Sequence, residues 1–220
     1  MERSPRKASA GQARRNGSAA GPGARERLRE AATRLFAVHG YSNVSIDQIC
    51  AEAEVSKGAF YYHFDSKDAA LYGIYQPLLE LQMQRLREIL ARPAPLADKL
   101  RAVAEDVARI CLERIDDLTV FMQSMHLLEP KTRALVGEQR REYHQLFAQM
   151  IEAAQAERIV RSDVPPDLLI NQLFGPLHYS TIWYRRHGPW KPEVLARQMT
   201  DMWLGGVRVH AAAAEPGGKA

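Results

Sequence analysis

The sequence predicts an all-α fold of about nine helices. Apolar residues recur three and four positions apart along most of the chain, which is the spacing of one buried helix face. Glycine and proline separate these segments, as at Gly40, Pro93 and Gly188-Pro189. No stretch shows the sustained alternation of apolar and polar residues that is typical of a half-buried strand.

Composition limits the class of protein. The chain has 220 residues, 46% of them hydrophobic, and a formal net charge of +4. Residues 1–23 are basic and lack periodicity, so we expect a disordered basic arm there and a frayed tail over 214–220. Cys50 and Cys111 lie in apolar surroundings that favour reduced thiols. With no apolar run long enough for a membrane span and no secretory signal, we expect a cytoplasmic protein without a membrane partner.

The first helices are predicted close to the N-terminus. The first begins at Ala24, and Gly40 fits a left-handed stop after it. Its buried face comprises Leu28, Ala31, Ala32, Leu35 and Phe36. At the start of the second helix, Ser45 and Gln48 have capping-box spacing, and Ser56 can cap the third.

The third helix carries a row of aromatic residues. Phe60 and Phe64 share one face and are expected to point inward, whereas Tyr61 and Tyr62 lie to the sides or outward. Two short helices joined by a tight turn form the motif that places a helix in the major groove of DNA. We therefore predict a three-helix DNA-binding domain with a helix-turn-helix over residues 24–70.

A helical body is predicted over residues 71–213. The helix that leads into it is capped by Asp65 or Ser66 and runs to about Ala91, and Pro77 is expected to kink or break it. Further helices are expected at about 96–115, 117–128, 130–157, 167–187 and 191–212, with a connector over 158–166.

Residues 25–72 contain a dense motif. It consists of Gly40-Tyr41, Ser45, Ile49, Ala53, Val55-Ser56-Lys57-Gly58, Tyr61, His63-Phe64, Ser66-Lys67 and Leu71. In these positions the chain resembles the TetR family of bacterial transcriptional repressors. The resemblance implies that the first three helices bind double-stranded operator DNA and that the fourth is a link. The remaining helices would hold a ligand pocket and a dimer face.

Eight residues are candidates for DNA contacts. For phosphates they are Ser45, Gln48, Tyr61 and Lys67, of which Tyr61 follows from the family's pattern. Lys67 stands at a helix N-terminus, where unpaired N–H groups also favour an anion. For bases they are Lys57, Gly58, Tyr62 and His63, again by the family's pattern. His63 has an equally good interpretation as a structural residue packed against the first helix.

The third helix is poor in residues that read bases directly. It has no Arg, Asn or Gln, the side chains that recognise guanine or adenine with two hydrogen bonds. We therefore expect Lys57 and the shape of the DNA to supply much of the specificity.

An apolar pocket is predicted in the body. Its candidate lining residues are Phe121, Met122, Met125, His126, Tyr143, Phe147, Phe174 and His178. Apolar walls with few polar groups suit a small organic effector, and a plain core position is the alternative for each residue. Gly175-Pro176 is expected to break the eighth helix and widen the cavity.

A junction near the C-terminus carries a second resemblance. Its sequence is Trp183-Tyr184-Arg185-Arg186-His187-Gly188-Pro189-Trp190-Lys191-Pro192-Glu193. The W-Y-R…G…P-E pattern is similar to the junction found in one branch of the family. This branch includes regulators of fatty-acid and steroid breakdown and tends to sense acyl-CoA thioesters. An acyl-CoA effector would need cations for its phosphates, and Arg161, Arg185 and Arg186 are the candidates.

The last two helices are the predicted homodimer face, as a four-helix bundle between subunits. The first stripe comprises Leu169, Leu173, Leu177 and Tyr184, and the second Leu195, Met199, Met202, Trp203 and Gly206. The alternative is that these residues form the core of one subunit.

Two other functions are alternatives to a ligand-responsive repressor. An all-α enzyme is disfavoured because the sequence has no nucleophile elbow, phosphate loop, zinc-ligand spacing or carboxylate pair on one helix face. We therefore expect no catalytic residue, metal or cofactor. A binding module without specific DNA recognition, acting through the basic arm, lacks an apolar anchor for stable membrane attachment.

Overall fold

The structure is a computed structural model that describes residues 23–209. The predicted arm, apart from Gly23, and the predicted tail lie outside these residues. The described part contains nine α-helices and a single isolated bridge between Val160 and Arg208, which confirms the all-α prediction. The helices are α1 Ala24–His39, α2 Ile46–Glu52, α3 Lys57–His63, α4 Lys67–Leu90, α5 Leu96–Glu113, α6 Ile115–Ser124, α7 Pro130–Ala156, α8 Pro166–Trp183 and α9 Pro192–Val207.

The chain divides into two compact units between Gly73 and Ile74. In the N-terminal unit, α1 packs against α2 and α3. Its core is built from large apolar side chains, among them Leu28, Phe36, Ile49, Phe60 and Leu71, all fully buried. This core holds the two short helices of the helix-turn-helix, which could not be stable alone because each has only seven residues.

Side-chain caps start the short helices where the sequence predicts them. The Ser45 hydroxyl accepts a hydrogen bond from the Gln48 backbone N–H at 3.2 Å, and the Gln48 side-chain oxygen accepts one from the Ser45 N–H at 2.8 Å. Ser56 caps α3 by accepting from the Ala59 N–H at 3.2 Å. Of the two residues predicted to cap α4, Ser66 does so, since its hydroxyl accepts from a backbone N–H one turn on.

The C-terminal unit is built around α5, which packs against α6, α7, α8 and α9. Trp203 of α9 donates its indole N–H to the Leu169 carbonyl at 3.0 Å, a buried bond that joins α9 to α8. The Tyr75 hydroxyl donates to the Val120 carbonyl at 3.1 Å and joins α4 to α6. Among the described residues, no helix has the length and apolar character to cross a bilayer.

The break expected at Pro176 is wrong, and of the kink or break expected at Pro77 the break does not occur. Pro77 lies inside the continuous helix α4, and Pro176 lies inside the continuous helix α8. A proline removes one backbone hydrogen bond and crowds the preceding turn. Apolar side chains are buried on both sides of each proline, such as Leu173 and Leu177 in α8, and this burial offsets the loss.

Candidate DNA-binding surface and ligand pocket

The turn between α2 and α3 sets the direction of the recognition helix. Glu54 adopts a left-handed backbone conformation with φ of 53°. The Val55 N–H then donates to the Cys50 carbonyl at 3.0 Å, which closes the end of α2. The tight turn that the sequence predicts therefore depends on a strained non-glycine residue.

The two faces of α3 are arranged as predicted. Phe60 and Phe64 are buried with their ring centroids 5.8 Å apart, whereas Tyr61 is 49% exposed and Tyr62 is 77% exposed. Gly58 is exposed as well, and a Cβ there would meet only the Ser56 hydroxyl, at 3.8 Å. The fold has room for a side chain at Gly58, so packing within this unit does not require glycine.

Lys57 forms an ion pair with α2. Its ammonium lies 2.8 Å from a carboxylate oxygen of Asp47, and both side chains are more than half exposed. The hydrogen bond to Asp47 raises the pKa of Lys57. A base or phosphate that takes this ammonium would compete with the Asp47 carboxylate.

Lys67 has structural partners that sequence reasoning missed. Its ammonium donates to the carbonyls of Tyr41 and Val44, each at 3.0 Å, and lies 4.3 Å from the centroid of the Tyr41 ring. Two of its three N–H donors are thus used within the protein. The partners are 23 and 26 residues away in sequence, so no local pattern signals them.

The remaining DNA candidates differ in exposure. Ser45 and Gln48 are exposed, and their cap uses the amide oxygen of Gln48 rather than its N–H₂ group. His63 is half-buried, its ring packs edge-on against Tyr62 at 4.9 Å, and its Nε2 is shielded without a hydrogen-bond partner among the described residues. Both interpretations of His63 are compatible with this position.

The C-terminal unit contains a cavity with about 780 Å³ of empty space, part of which is open solvent. Four predicted residues line it: Phe121, Tyr143, Phe174 and His178. Leu78, Leu79, Leu118 and Ile170 complete much of its apolar wall. Phe147 packs behind this wall, with its ring 5.9 Å from that of Phe174. Met122, Met125 and His126 are not among the lining residues, and Met122 and His126 are exposed.

Besides the predicted Tyr143 and His178, the cavity has four polar lining residues that sequence reasoning missed. They are Gln82, Arg140, His144 and Asn171. Arg140 lies one helical turn before Tyr143 and His144 on α7, so the helical spacing could have revealed it. Burial and the charge of Arg140 lower the pKa of His178, and desolvation lowers the pKa of Arg140 itself.

The predicted cations for an acyl-CoA ligand have other partners. Arg161 is paired with Asp163 at 2.6 Å, Arg186 donates to the Glu113 carbonyl at 2.8 Å, and Arg185 donates to backbone carbonyls near it. None of the three lines this cavity.

On α8 the stripe predicted for the dimer face lies in the core of the subunit, which is the alternative that the sequence left open. Leu169, Leu173, Leu177 and Tyr184 are buried in the subunit, as are Leu195 and Trp203 of the second stripe. The exposed stripe of α8 lies on a different side of the helix and comprises Leu168, Gln172, Gly175, Tyr179 and Ile182. Met202, which is 71% exposed, and Gly206 do lie on the surface, and with Leu168, Gln172 and Pro176 they line a groove between α8 and α9.

An N-terminal helix-turn-helix with an exposed recognition helix, followed by a helical unit with a cavity, defines a class of DNA-binding regulators. Residues 28–71 match the model of "Bacterial regulatory proteins, tetR family", and residues 93–207 match "Tetracyclin repressor-like, C-terminal domain". The chain belongs to the tetR family: it is a DNA-binding transcriptional regulator and not an enzyme.

A named relative agrees with this assignment, and solved structures share the fold. The chain is 26% identical over 190 residues to the HTH-type transcriptional repressor KstR2 of Rhodococcus jostii, covering 84% of this chain and 91% of that protein. It resembles the structure of the ketosteroid transcriptional regulator KstR2 of Mycobacterium tuberculosis with a TM-score of 0.77 and 20% identity, covering 84% and 95% of the two chains. AibR, solved in complex with isovaleryl coenzyme A and operator DNA, gives a TM-score of 0.71 and 20% identity, with 83% and 97% covered.

Proposed function

We propose that the chain is a homodimeric repressor that leaves its operator when a small hydrophobic or acyl-CoA-type effector binds the cavity of the C-terminal unit. The observation that carries the proposal is the exposed face of α3, where Tyr61 and Tyr62 lie over the buried Phe60 and Phe64. Exposed aromatic rings cost free energy in water unless a partner covers them. Such a regulator works where the chromosome is, in the cytoplasm.

The contacts are proposed to divide between backbone and bases. Ser45, Gln48, Tyr61 and Lys67 would contact phosphates, and Lys57, Gly58, Tyr62 and His63 would face the bases. Lys67 has at most one N–H donor left for a phosphate, so its larger role is to hold the loop that precedes α2. The room for a Cβ at Gly58 supports a requirement from outside the fold, such as close approach to DNA.

Dimerisation would use the exposed α8–α9 face. Leu168, Tyr179, Ile182 and Met202 are all at least 49% exposed, an unusual concentration of apolar surface. A twofold pair of these helices would double the phosphate contacts and place the recognition helices about 34–36 Å apart, one turn of DNA. A single N-terminal unit would make few such contacts.

Effector release follows from linkage. A ligand can bind more tightly to a dimer whose recognition helices are wrongly spaced for the operator. Such a ligand lowers the affinity for the operator by the same factor by which the operator lowers the affinity for the ligand. The AibR complex supports an acyl-CoA for a protein of this fold, and the aromatic lining supports an apolar group in the cavity.

The decisive experiment measures binding to the chain's own upstream DNA by fluorescence anisotropy, against a scrambled duplex. Lys57→Ala should weaken specific binding about 5- to 150-fold, the range for loss of a base contact. Lys131→Ala is the matched control, because Lys131 is an exposed lysine on α7, outside the N-terminal unit. Equal affinity for both duplexes would contradict the proposal.

Two further measurements complete the test. Adding an effector of the proposed class, either acyl-CoA thioesters of different chain length or the corresponding free fatty acids, should lower operator affinity. Deleting residues 1–23 without loss of specific binding would show that the basic arm is accessory, whereas loss of all binding would favour a module that acts through the arm.

A further inference from the structure

The polar side chains that line the cavity of the C-terminal unit can all donate hydrogen bonds. None of its described lining residues is acidic. Its polar groups include Arg140, Tyr143, His144, Asn171 and His178. An apolar cavity needs few polar groups, and those present usually fix the orientation of the ligand. A wall with a cation and no carboxylate indicates a negatively charged ligand group.

Arg140 lacks a carboxylate partner among the described residues, whereas seven of the fourteen other arginines of this unit have one. Arg85, Arg87, Arg101, Arg109, Arg114, Arg161 and Arg186 each lie within 4.0 Å of a carboxylate oxygen. Arg140 takes part in no ion pair among the described residues. Its guanidinium instead lies 5.1 Å from the Phe121 ring centroid and 3.3 Å from the Met125 sulfur. These soft contacts hold the planar group in place and leave its charge uncompensated.

Tyr143 supplies a second unused donor. Only 9% of the residue is exposed, and its hydroxyl has no hydrogen-bond partner among the described residues. A buried hydroxyl is almost always paired, by protein, water or ligand. Tyr143 follows Arg140 by three positions on α7, a spacing that places both side chains on the same face of the helix.

We propose that the effector is an apolar organic acid whose free anionic oxygens are held by Arg140 and accept a hydrogen bond from the Tyr143 hydroxyl. The apolar skeleton of the acid packs against Phe121 and Phe174. This inference rests on the proposed effector function and narrows it, because Arg140, an exposed residue that lines the cavity, would hold the anionic group at the cavity wall. In an acyl-CoA the acyl end is neutral and the phosphates are remote from it.

The test uses two fluorescent probes with one skeleton. 1-Anilinonaphthalene-8-sulfonate carries an anionic group, and N-phenyl-1-naphthylamine is its neutral counterpart. The full chain should bind the sulfonate more tightly than the amine. Arg140→Gln should weaken the sulfonate about tenfold or more and the neutral amine less than about twofold. Arg141→Gln is the control, because Arg141 is an exposed neighbour outside the cavity lining.

The hydroxyl is tested in the same way. Tyr143→Phe should weaken the sulfonate selectively, whereas Tyr184→Phe should not. Tyr184 is also buried with an unpartnered hydroxyl, but it does not line the cavity. Thermal unfolding of every variant shows that it is folded.

Competition distinguishes the possible sources of the anion. Decanoate should displace the sulfonate better than 1-decanol does, and this preference should vanish in Arg140→Gln. The inference is overturned if Arg140→Gln binds both probes as the wild type does, if it weakens both equally, or if decanoyl-CoA competes equally well with both proteins while decanoate does not compete. Operator binding by the wild type tests the repressor proposal separately, since it needs no probe.

Discussion

Gly73 provides a sharp test of packing beneath the recognition helix. It is buried inside α4, and an added Cβ would lie 2.8 Å from Cε1 and 3.5 Å from Cζ of Phe64. Carbon atoms in contact are normally about 3.5–4.0 Å apart. Phe64 ends α3 and packs against Phe60 and the Arg25 guanidinium, so its ring cannot move without disturbing its neighbours.

The expected magnitude is the difference between two terms. Gly→Ala inside a helix favours the folded state by about 1 kcal/mol. Inserting a methyl group into a packed core costs about 1–3 kcal/mol. Gly73→Ala should therefore lower the free energy of unfolding by about 0–2 kcal/mol. Gly137→Ala is the matched control, because its Cβ would meet only the flexible end of Arg141, at 3.5 Å. That variant should gain about 1 kcal/mol.

Urea unfolding followed by far-UV circular dichroism measures both variants. The double variant Gly73→Ala/Phe64→Leu should recover part of the loss, because the smaller side chain makes room for the methyl group. Gly73→Ala should also weaken operator binding, since α3 ends at the displaced ring. If Gly73→Ala stabilises the protein as much as Gly137→Ala does, Phe64 does not restrict the space beside Gly73.

Two further predictions concern the cap of α2 and the pH response. Ser45→Ala should cost about 1 kcal/mol and lower Tm, whereas Ser42→Ala, at an exposed site outside the cap, should change stability by less than about 0.5 kcal/mol; equal Tm values for the two variants would exclude a stabilising cap. In the folded state, burial and then the charge of Arg140 lower the pKa of His178. The unfolded chain therefore binds a proton on His178 more readily, and the free energy of unfolding falls as the pH drops through the ordinary histidine range. His178→Gln should lose Tm less steeply than the wild type between about pH 7.5 and pH 5.5, and parallel curves would show that His178 contributes nothing.

Local signals in the sequence were sufficient for the helices and for the orientation of α3. Ser45 and Ser56 form caps with backbone groups three residues away. The buried Phe60 and Phe64 flank the exposed Tyr61 and Tyr62 within two helical turns. Each of these features depends on neighbours in the chain, so the pattern of residue types already contains them.

The tertiary structure alone decided which apolar stripe of α8 faces the core and which cations are free. α8 carries large apolar residues on two faces, so its helical period is satisfied equally by Leu169 and by Leu168, and only packing against the other helices buries Leu169. The partners of Lys67 and the unpaired charge of Arg140 likewise depend on groups far away in the sequence. A single sequence specifies such contacts only through the folded chain, because distance in space is set by the packing of whole helices.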